Sequence, residues 1–321
     1  MVSWTGHFPA KRMGLAGGEA IWWALEGITP MTSLPPRHIA LALLIAAIWG
    51  FNFVVIHVGI AEMPPLLLAA LRFVITALPA AFLPRPGLSW RRLVLVGMRL
   101  FAAQFGFLFT GMKLGMPAGL ASLVLQSQAL FTVVFAMIYL GERPDRRLAL
   151  GGAVAGLGLI LIATTIGAAG VTVMGFAFIM LAAMSWGVGN VALRGAPRSD
   201  PLALMGWLSL VPPVPLFLLS LGLEGWQADW QALTHMSWLG FGALLYIAVL
   251  STLVGYGAWG YLMGHYPASR VAPFSVLVPV FGTVSAALVL GERFPPLRFA
   301  GMGLILVGLA IVLWPRRRTA G

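Results

Sequence analysis

Long apolar runs, separated by short polar connections that contain proline, make up most of this chain. A helix rises ~1.5 Å per residue, so about 18 or more apolar residues cross a ~30 Å hydrocarbon core. Proline disfavours an unbroken helix and therefore marks the ends of the runs. The pattern predicts ten membrane spans, at about residues 38–60, 64–84, 92–112, 116–140, 147–167, 171–193, 200–222, 238–263, 267–290 and 296–314.

One part of the pattern occurs twice, at residues 117–163 and again 150 positions later at 267–313. Both copies carry the triplet Gly-Glu-Arg between two apolar runs, as Gly141-Glu142-Arg143 and as Gly291-Glu292-Arg293. Composition alone does not account for a charged triplet at the same place in two apolar segments. We therefore interpret the chain as a duplicated membrane unit.

Spans four and five recur as spans nine and ten, so the repeated unit contains five spans. An odd number of crossings brings the second copy into the membrane upside down. A second sequence similarity supports the duplication. Trp49-Gly50 and Trp186-Gly187 are each followed by an asparagine, Asn52 or Asn190. Inverted repeats are typical of secondary transporters, whose substrate site lies near the membrane midplane between the halves.

The sequence thus predicts an all-α membrane protein with ten transmembrane helices arranged as two inverted five-helix repeats. The repeats are expected over residues 38–167 and 171–314. Residues 1–37 are expected to be a disordered tail or the product of an over-long start, and residues 315–321 a basic cytoplasmic tail. The absence of cysteine excludes disulfides and thiolate chemistry.

The composition agrees with a membrane protein, because 60% of the residues are hydrophobic, 9% are charged and the mean hydropathy is +0.94. Soluble domains carry about 25% charged residues. The net charge of +11 would suit nucleic acid. However, most Lys and Arg lie in the tails and in connections on one side of the predicted bundle. This bias predicts an inner (plasma) membrane protein with both termini in the cytoplasm, in contact with the lipid bilayer and not with nucleic acid.

Polar side chains inside apolar spans are costly, and they are therefore the candidates for a substrate site. Arg72 could bind a substrate carboxylate through two parallel hydrogen bonds, or it could bond to helix-end carbonyls. Tyr256 and Trp259 are three residues apart on one helix face and could hold an ammonium group by cation–π attraction. The predicted substrate-binding residues are Asn52, Arg72, Gln104, Gln126, Gln128, Asn190, Tyr256 and Trp259.

The three glutamines carry amides that donate and accept hydrogen bonds at once, which suits a zwitterion, although bonding between helices is the competing use. Gln126 and Gln128 point about 200° apart on a helix, so at most one of them faces a central cavity. Pro273 and Pro279 free backbone carbonyls in span nine and predict a bend that could serve as a gate.

The acidic and histidine residues argue against chemistry within the membrane. All nine carboxylates are predicted in tails, connections or span ends, so no proton relay at the midplane is expected. Glu142 and Glu292 are expected to cap helix ends and to pair locally. The five histidines lack metal-ligand spacing. We predict no metal and no cofactor, and a membrane-embedded enzyme remains only as the alternative from another class.

Seven short segments carry a family resemblance. They are Ile48–Ile56, Met63–Leu66, Leu71–Phe73, Ala102–Phe105, Gly115–Gln126, Val254–Gly257 and Arg270–Pro273. Through them, residues 38–314 resemble the EamA-type drug/metabolite transporters, and within that superfamily the bacterial exporters of O-acetylserine and cysteine. Arg99 and Lys113 depart from the exporter pattern.

The resemblance implies efflux of a small amino-acid-like zwitterion by alternating access, and it allows a homodimer. Export of another amphipathic metabolite or of a drug is the alternative. No enzymatic activity is implied.

Overall fold

The computed structural model describes residues 34–142, 146–165, 171–194, 196–197 and 199–313. In these ranges the backbone forms helices joined by short turns, which confirms the all-α prediction for the described residues. Eight of the described helices are long and apolar enough to cross a membrane, and two shorter apolar helices accompany them. The predicted tails lie outside the described residues, except for 34–37.

We number the helices in chain order. They are α1 (Pro36–Glu62), α2 (Pro65–Ala81), α3 (Trp90–Lys113), α4 (Ala118–Leu140), α5 (Arg146–Ala163), α6 (Val173–Leu193), α7 (Pro201–Thr234), α8 (Trp238–His265), α9 (Ala272–Leu290) and α10 (Pro296–Val312). The shorter two are α2 and α10, which are close to the lower limit of about 17 residues for a spanning helix. A single turn, Ala268–Val271, precedes α9.

Helix α7 is longer than the sequence predicts. It was expected to end near residue 222, but it resumes after Gly225 as Trp226–Thr234. Gly225 has φ +96°, a conformation that glycine adopts without steric cost. Trp226 and Trp230 are exposed and stack on each other with ring centres 5.4 Å apart. Exposed tryptophans of this kind are typical of a helix at the membrane–water interface.

Hydrogen bonds between the connections sort them into two ends of the bundle. At the first, which we call the Glu292 end, the connections after α1, α3, α5, α7 and α9 meet. The bonds run from Lys113 Nζ to the Ile60 carbonyl (2.7 Å), from Ser237 Oγ to Glu62 (2.6 Å), from the Thr172 hydroxyl to the Leu114 carbonyl, from Arg298 Nε to Thr165 Oγ1 (3.0 Å) and from the Ala118 N–H to Glu292 (2.6 Å).

The connections after α2, α4, α6 and α8 meet at the opposite end, which we call the Glu142 end, together with the start of α1 and the end of α10. The contacts join Arg92 Nε to the Ala192 carbonyl (2.9 Å), Trp207 Nε1 to the Leu83 carbonyl (3.1 Å), Arg194 to Glu142, Arg147 Nη2 to the Ile311 carbonyl (3.1 Å), and His38 to the Tyr266 hydroxyl (2.5 Å). Consecutive helices therefore run in opposite directions.

Helices α5 and α10 cross in direct backbone contact. A Cβ on Gly151 would lie 2.7 Å from the Gly308 carbonyl oxygen, and a Cβ on Gly158 would lie 2.6 Å from that of Gly301. Gly301 and Gly308 stand 150 positions after Gly151 and Gly158, so the repeat converts each contact into the other. Small residues allow this close approach, which matters because lipid provides no hydrophobic drive between helices.

A second pair of glycine contacts is also related by the sequence repeat. Gly50 of α1 packs on Phe281 of α9, where a Cβ on the glycine would lie 2.5 Å from the Phe281 Cβ. Gly187 of α6 packs on Phe131 of α4, where the same distance would be 2.9 Å. The glycines belong to the two Trp-Gly pairs, and the phenylalanines are 150 residues apart. The contact between α1 and α9 therefore corresponds to the contact between α6 and α4.

Some departures from α-helical geometry match between the halves, whereas the 3-10 segment of α2 (Leu78–Ala81) and the π-type segment of α7 (Leu221–Gly225) do not. Helices α3 and α8 contain π-type segments, and α4 and α9 contain 3-10 segments. These segments are Met98–Ala103 and Tyr246–Val254, and Leu125–Ser127 and Ala272–Val276. Pro273 lies in the 3-10 segment of α9, whereas Pro279 is buried in the regular helix that follows. Such irregular segments often mark hinges.

Replacing Gly158 by Ala should destabilise the protein, whereas the same change at Gly156, on the same helix, should not. The new Cβ at 158 would meet the Gly301 carbonyl oxygen at 2.6 Å, and overpacking of this kind costs about 1–3 kcal/mol. A Cβ at 156 has nothing within 4 Å, and alanine favours a helix over glycine by roughly 0.5–1 kcal/mol. Thermal unfolding in detergent measures the difference, and equal melting temperatures would contradict the close crossing.

Candidate functional site

Arg72 lies about two turns into α2 and is only 2% exposed. Its Nη2 donates to the Thr252 hydroxyl oxygen of α8 at 2.6 Å, while the Thr252 hydroxyl donates onward to the Ile247 carbonyl at 2.7 Å. The guanidinium carbon lies 4.1 Å from the centre of the Phe105 ring of α3. The arginine is therefore enclosed where α2, α3 and α8 meet.

The hydrogen bonding of Arg72 is incomplete. Its Nε and Nη1 are buried and have no hydrogen-bond partner. A charge at the bilayer centre costs ~2.5–3.5 kcal/mol on insertion scales, so such groups usually find a partner. Aromatic faces attract a cation but do not replace the paired acceptors of a carboxylate. Arg72 therefore retains hydrogen-bond donors with which an anionic group could pair.

The hydrogen-bond acceptor found for the Arg72 side chain can be compared with the two roles predicted for this residue. The structural alternative was bonding to helix-end carbonyls, but the acceptor observed is the Thr252 hydroxyl in the middle of α8. The carboxylate-binding alternative is compatible with the unpartnered Nε and Nη1.

Trp49 of α1 joins two of the predicted residues into an aromatic group. Its ring centre lies 5.2 Å from those of both Tyr256 and Trp259, and its Nε1 donates to the Ser251 carbonyl at 2.9 Å. Tyr256 also lies within electrostatic range of Arg72. Sequence reasoning placed Trp49 in a repeated motif but not in the site, although that repetition was a signal for it.

Two predicted amides are buried acceptors that lack partners. They are Asn52 Oδ1 in α1 and Gln104 Oε1 in α3. The Thr283 hydroxyl of α9 is in the same state. Donors and acceptors without partners are therefore both present inside the bundle.

The other predicted amides are engaged between helices or less enclosed. Asn190 Nδ2 donates to Thr132 Oγ1 at 3.1 Å, and Gln126 Nε2 lies 3.5 Å from the Ser275 carbonyl oxygen. Gln128 is half-buried.

Asn52 and Asn190, which each follow a Trp-Gly pair, are offset by one residue between the two halves. The packing of Gly50 and Gly187 aligns α1 and α6 without a gap, and both helices are regular there. Asn52 therefore corresponds to Gly189, and Asn190 lies one residue further along.

A cleft of about 960 Å³ opens at the Glu292 end between α3 and α7. Phe107, Phe178 and Leu219 contribute to its apolar walls, and charged or polar groups line its mouth. The mouth includes Glu62, Lys113, Glu224, Gln231 and His235. The eight predicted substrate-binding residues are not among those that line this cleft. It is therefore a feature that sequence reasoning missed.

Asp229 corrects one sequence expectation. It was predicted to lie in a connection, but it is in the last helical part of α7 and is 1% exposed. Its Oδ1 accepts a contact from Ser220 Oγ at 2.8 Å, and the same hydroxyl lies 2.6 Å from Glu224 Oε2. The Glu224 carboxylate also accepts from the backbone N–H groups of Leu66 and Leu67 at the start of α2.

The two glutamates of the repeated triplet have different partners. Glu292 accepts from the N–H groups of Ala118 (2.6 Å) and Gly119 (3.0 Å), so its predicted role in capping a helix end is confirmed. Burial raises the pKa of the Glu292 carboxyl above its usual value, although these two N–H groups and Arg298 oppose the shift. Glu142 pairs with Arg194.

A bundle of apolar helices that encloses polar groups between its halves is the architecture of a polytopic membrane transporter. The EamA-like transporter family model matches residues 37–164 and again residues 173–314. The chain belongs to the EamA-like transporter family, and it is a multi-span membrane protein and a transporter rather than an enzyme.

Named relatives agree with this assignment. Two proteins called "probable amino-acid metabolite efflux pump", from Salmonella typhimurium and Escherichia coli, are each 44% identical over 277 residues, covering 84% of this chain and 93% of the relative. An uncharacterized transporter of Archaeoglobus fulgidus is 25% identical over 291 residues, covering 87% of this chain and 99% of the relative.

A protein of known crystal structure is similar in fold, with a TM-score of 0.58 at 20% identity, over 87% of this chain and 99% of the other.

Thr252→Val should destabilise the folded protein, and Thr252→Ser should not. Valine removes the hydroxyl that accepts from Arg72, so a further buried donor is left unsatisfied at a cost of about 1–3 kcal/mol. Serine keeps the hydroxyl and loses only a methyl group. Melting temperatures of both variants in detergent provide the measurement. If valine and serine behave alike, the Arg72–Thr252 bond does not contribute to stability.

Proposed function

We propose that this protein exports small amino-acid metabolites, of the cysteine and O-acetylserine type, across the inner membrane by alternating access. The observation that carries the proposal is the buried Arg72, whose Nε and Nη1 have no partner. A substrate carboxylate would supply an acceptor that is missing here and would neutralise the charge. The names of the 44%-identical relatives support the class of substrate.

The ammonium group of such a substrate needs acceptors or aromatic faces. Asn52 Oδ1 and Gln104 Oε1 are unpartnered acceptors, and the Trp49, Tyr256 and Trp259 rings form an aromatic group beside the arginine helix. These residues differ from Asn190 and Gln126, whose amides contact groups on neighbouring helices. In our proposal the former bind substrate and the latter hold the bundle together.

The proposed topology is ten crossings in two inverted five-helix repeats. Two observations support it: odd- and even-numbered connections meet at opposite ends, and the glycine contacts of α5 with α10 exchange under the repeat. The charge bias of the sequence assigns the Glu142 end to the cytoplasm. Two halves of similar structure can form inward-open and outward-open states of similar energy.

The cleft between α3 and α7 favours a second candidate within the same class. Its apolar walls and charged mouth would suit an amphipathic metabolite or drug larger than an amino acid. Competition experiments with such compounds distinguish the two substrates.

Arg72→Gln should reduce efflux of a free amino acid more than tenfold and leave efflux of its methyl ester much less affected, because only the acid loses an ion pair. Arg72→Lys should recover part of the activity, since it restores charge but not the paired geometry. Arg99→Gln, which changes an exposed arginine of α3, serves as the control. Release of radiolabelled cysteine or O-acetylserine from proteoliposomes is the measurement. Equal loss for acid and ester would refute carboxylate binding by Arg72.

Single cysteines in this cysteine-free chain test the topology. His235 and His265 are both exposed, the first near the Glu292 end and the second near the Glu142 end. We expect His235→Cys in intact cells to react with a membrane-impermeant maleimide, and His265→Cys to react only after permeabilisation. Reaction of both from the same side would rule out the proposed arrangement.

A further inference from the structure

The hydroxyl group of Ser220 lies between two carboxyl groups near the end of α7. Its Oγ is 2.6 Å from Glu224 Oε2 and 2.8 Å from Asp229 Oδ1. A serine hydroxyl carries one proton and accepts hydrogen bonds through its lone pairs. It can therefore donate to only one carboxyl group at a time, and the second contact becomes a hydrogen bond only if that carboxyl carries a proton. Both hydrogen bonds are made at once when the pair of carboxyl groups holds one proton.

The surroundings of the two carboxyl groups place this proton on Asp229. Glu224 accepts from the backbone N–H groups of Leu66 (2.9 Å) and Leu67 (3.3 Å), and such bonds stabilise a carboxylate anion. Asp229 is 1% exposed, and its Oδ2 has no hydrogen-bond partner. A buried charge without compensation is costly, so a carboxyl group in this position is favoured in its neutral form. Asp229 then donates to Ser220 Oγ, and the Ser220 hydroxyl donates to Glu224.

The neighbouring charged groups do not compensate a second anion in this cluster. Glu62, Lys113 and His235 line the cleft together with Glu224. In the part of the chain that the structure describes, neither Lys113 nor His235 forms an ion pair with a carboxylate. The ionisable side chain of α2 is Arg72, which is bonded to α8 instead. A proton on the pair is therefore the remaining way to avoid two adjacent anions.

The cleft gives this cluster a route to water. Glu224 lines the cleft, and so do Ala228 and Gln231, which flank Asp229 on α7. A proton delivered to Glu224 can pass to Ser220, which gives its own hydroxyl proton to Asp229. The relay forms and breaks only O–H bonds, so Asp229 can exchange its proton while it stays buried.

The cluster also attaches α7 to the start of α2, the helix that carries Arg72. The attachment is made by the Glu224 carboxylate, through the backbone N–H groups at the start of that helix. If the proton is lost, two neighbouring anions compete for one hydroxyl proton and repel each other, which weakens the cluster. The protonation of the pair and the attachment of α2 are therefore linked.

We propose that Asp229, Ser220 and Glu224 form a proton-binding site that exchanges with water through the cleft between α3 and α7. The bound proton joins the two carboxyl groups and so secures the contact of α7 with α2. This inference goes beyond the proposed function and requires no particular substrate. The proposed topology adds only that the proton comes from the outer side.

Infrared spectroscopy detects a neutral carboxyl group through its C=O stretch, which is distinct from that of a carboxylate. We expect the purified full-length protein in lipid to show this band at neutral pH, and Asp229→Asn to lose the part of it that arises from Asp229. Glu62→Gln removes an exposed carboxyl group beside the same cleft and should leave the band unchanged. An identical band in wild type and Asp229→Asn would overturn the proposal.

The pH dependence of stability is a second measurement. A group that keeps its proton in the folded protein and releases it on unfolding stabilises the folded protein as the pH falls. One such proton changes the unfolding equilibrium constant by up to about tenfold per pH unit. From about pH 8 to about pH 6, the melting temperature of wild type should therefore rise more than that of Asp229→Asn. His235→Gln should keep the wild-type response, which excludes titration of this histidine as its source.

Equal pH responses of wild type and Asp229→Asn would contradict proton binding by the pair. A response to sodium at constant pH, in place of the pH response, would assign the site to a metal ion and would also overturn the proposal. If Asp229→Asn does not fold, Ser220→Ala is the test, since it removes the acceptor of the Asp229 proton and should shift the C=O stretch to higher frequency. An unshifted band would count against the arrangement.

Neither measurement uses substrate. Failure of metabolite efflux would therefore refute the proposed function and leave the proton site, whereas the reverse result would refute the proton site alone.

Discussion

Direct contact between helix backbones is the constraint on which the rest of this bundle depends. In lipid, helices are held together by packing and hydrogen bonds, because lipid tails are as apolar as the side chains they would displace. Three close contacts bring the helices near enough for both packing and hydrogen bonding. They join Gly158 to Gly301, Gly50 to Phe281 and Gly282 to Ser122. Once these crossings are fixed, polar groups on other faces are enclosed by neighbouring helices instead of facing hydrocarbon.

The two buried arginines, Arg298 and Arg72, differ in how many of their hydrogen-bond donors have a partner. Arg298 is 1% exposed, and it bonds to both the hydroxyl and the carbonyl of Thr165 at the end of α5, which is a structural arrangement. Arg72 is as deeply buried, but it has one hydroxyl partner, aromatic neighbours and two unused donors. An unsatisfied donor costs about 1–3 kcal/mol, which is why we propose that substrate pairs with Arg72. Burial alone does not distinguish these two arginines, whereas the number of satisfied donors does.

Sequence reasoning identified the apolar segments and their connections, because hydrophobic length, proline and charge are read directly along the chain. It also related α4–α5 to α9–α10 through the Gly-Glu-Arg triplet. It did not identify the helix after Gly225, since Trp226–Thr234 is too polar for a span. The π segments of α3 and α8 contain no proline, so no local signal marked them. Trp49 and Asp229 owe their positions to packing between distant segments, which a pattern along one helix does not encode.

The most informative feature is that similar halves have dissimilar contacts. In the observed structure Glu292 caps the start of α4, whereas Glu142 is paired with Arg194. That pairing compensates the charge of the glutamate that is bonded to Arg194. Because the backbones around Gly141 and Gly291 are alike, the difference does not arise from the way in which the two helices end. A repeated sequence therefore does not by itself determine the contacts that each copy makes.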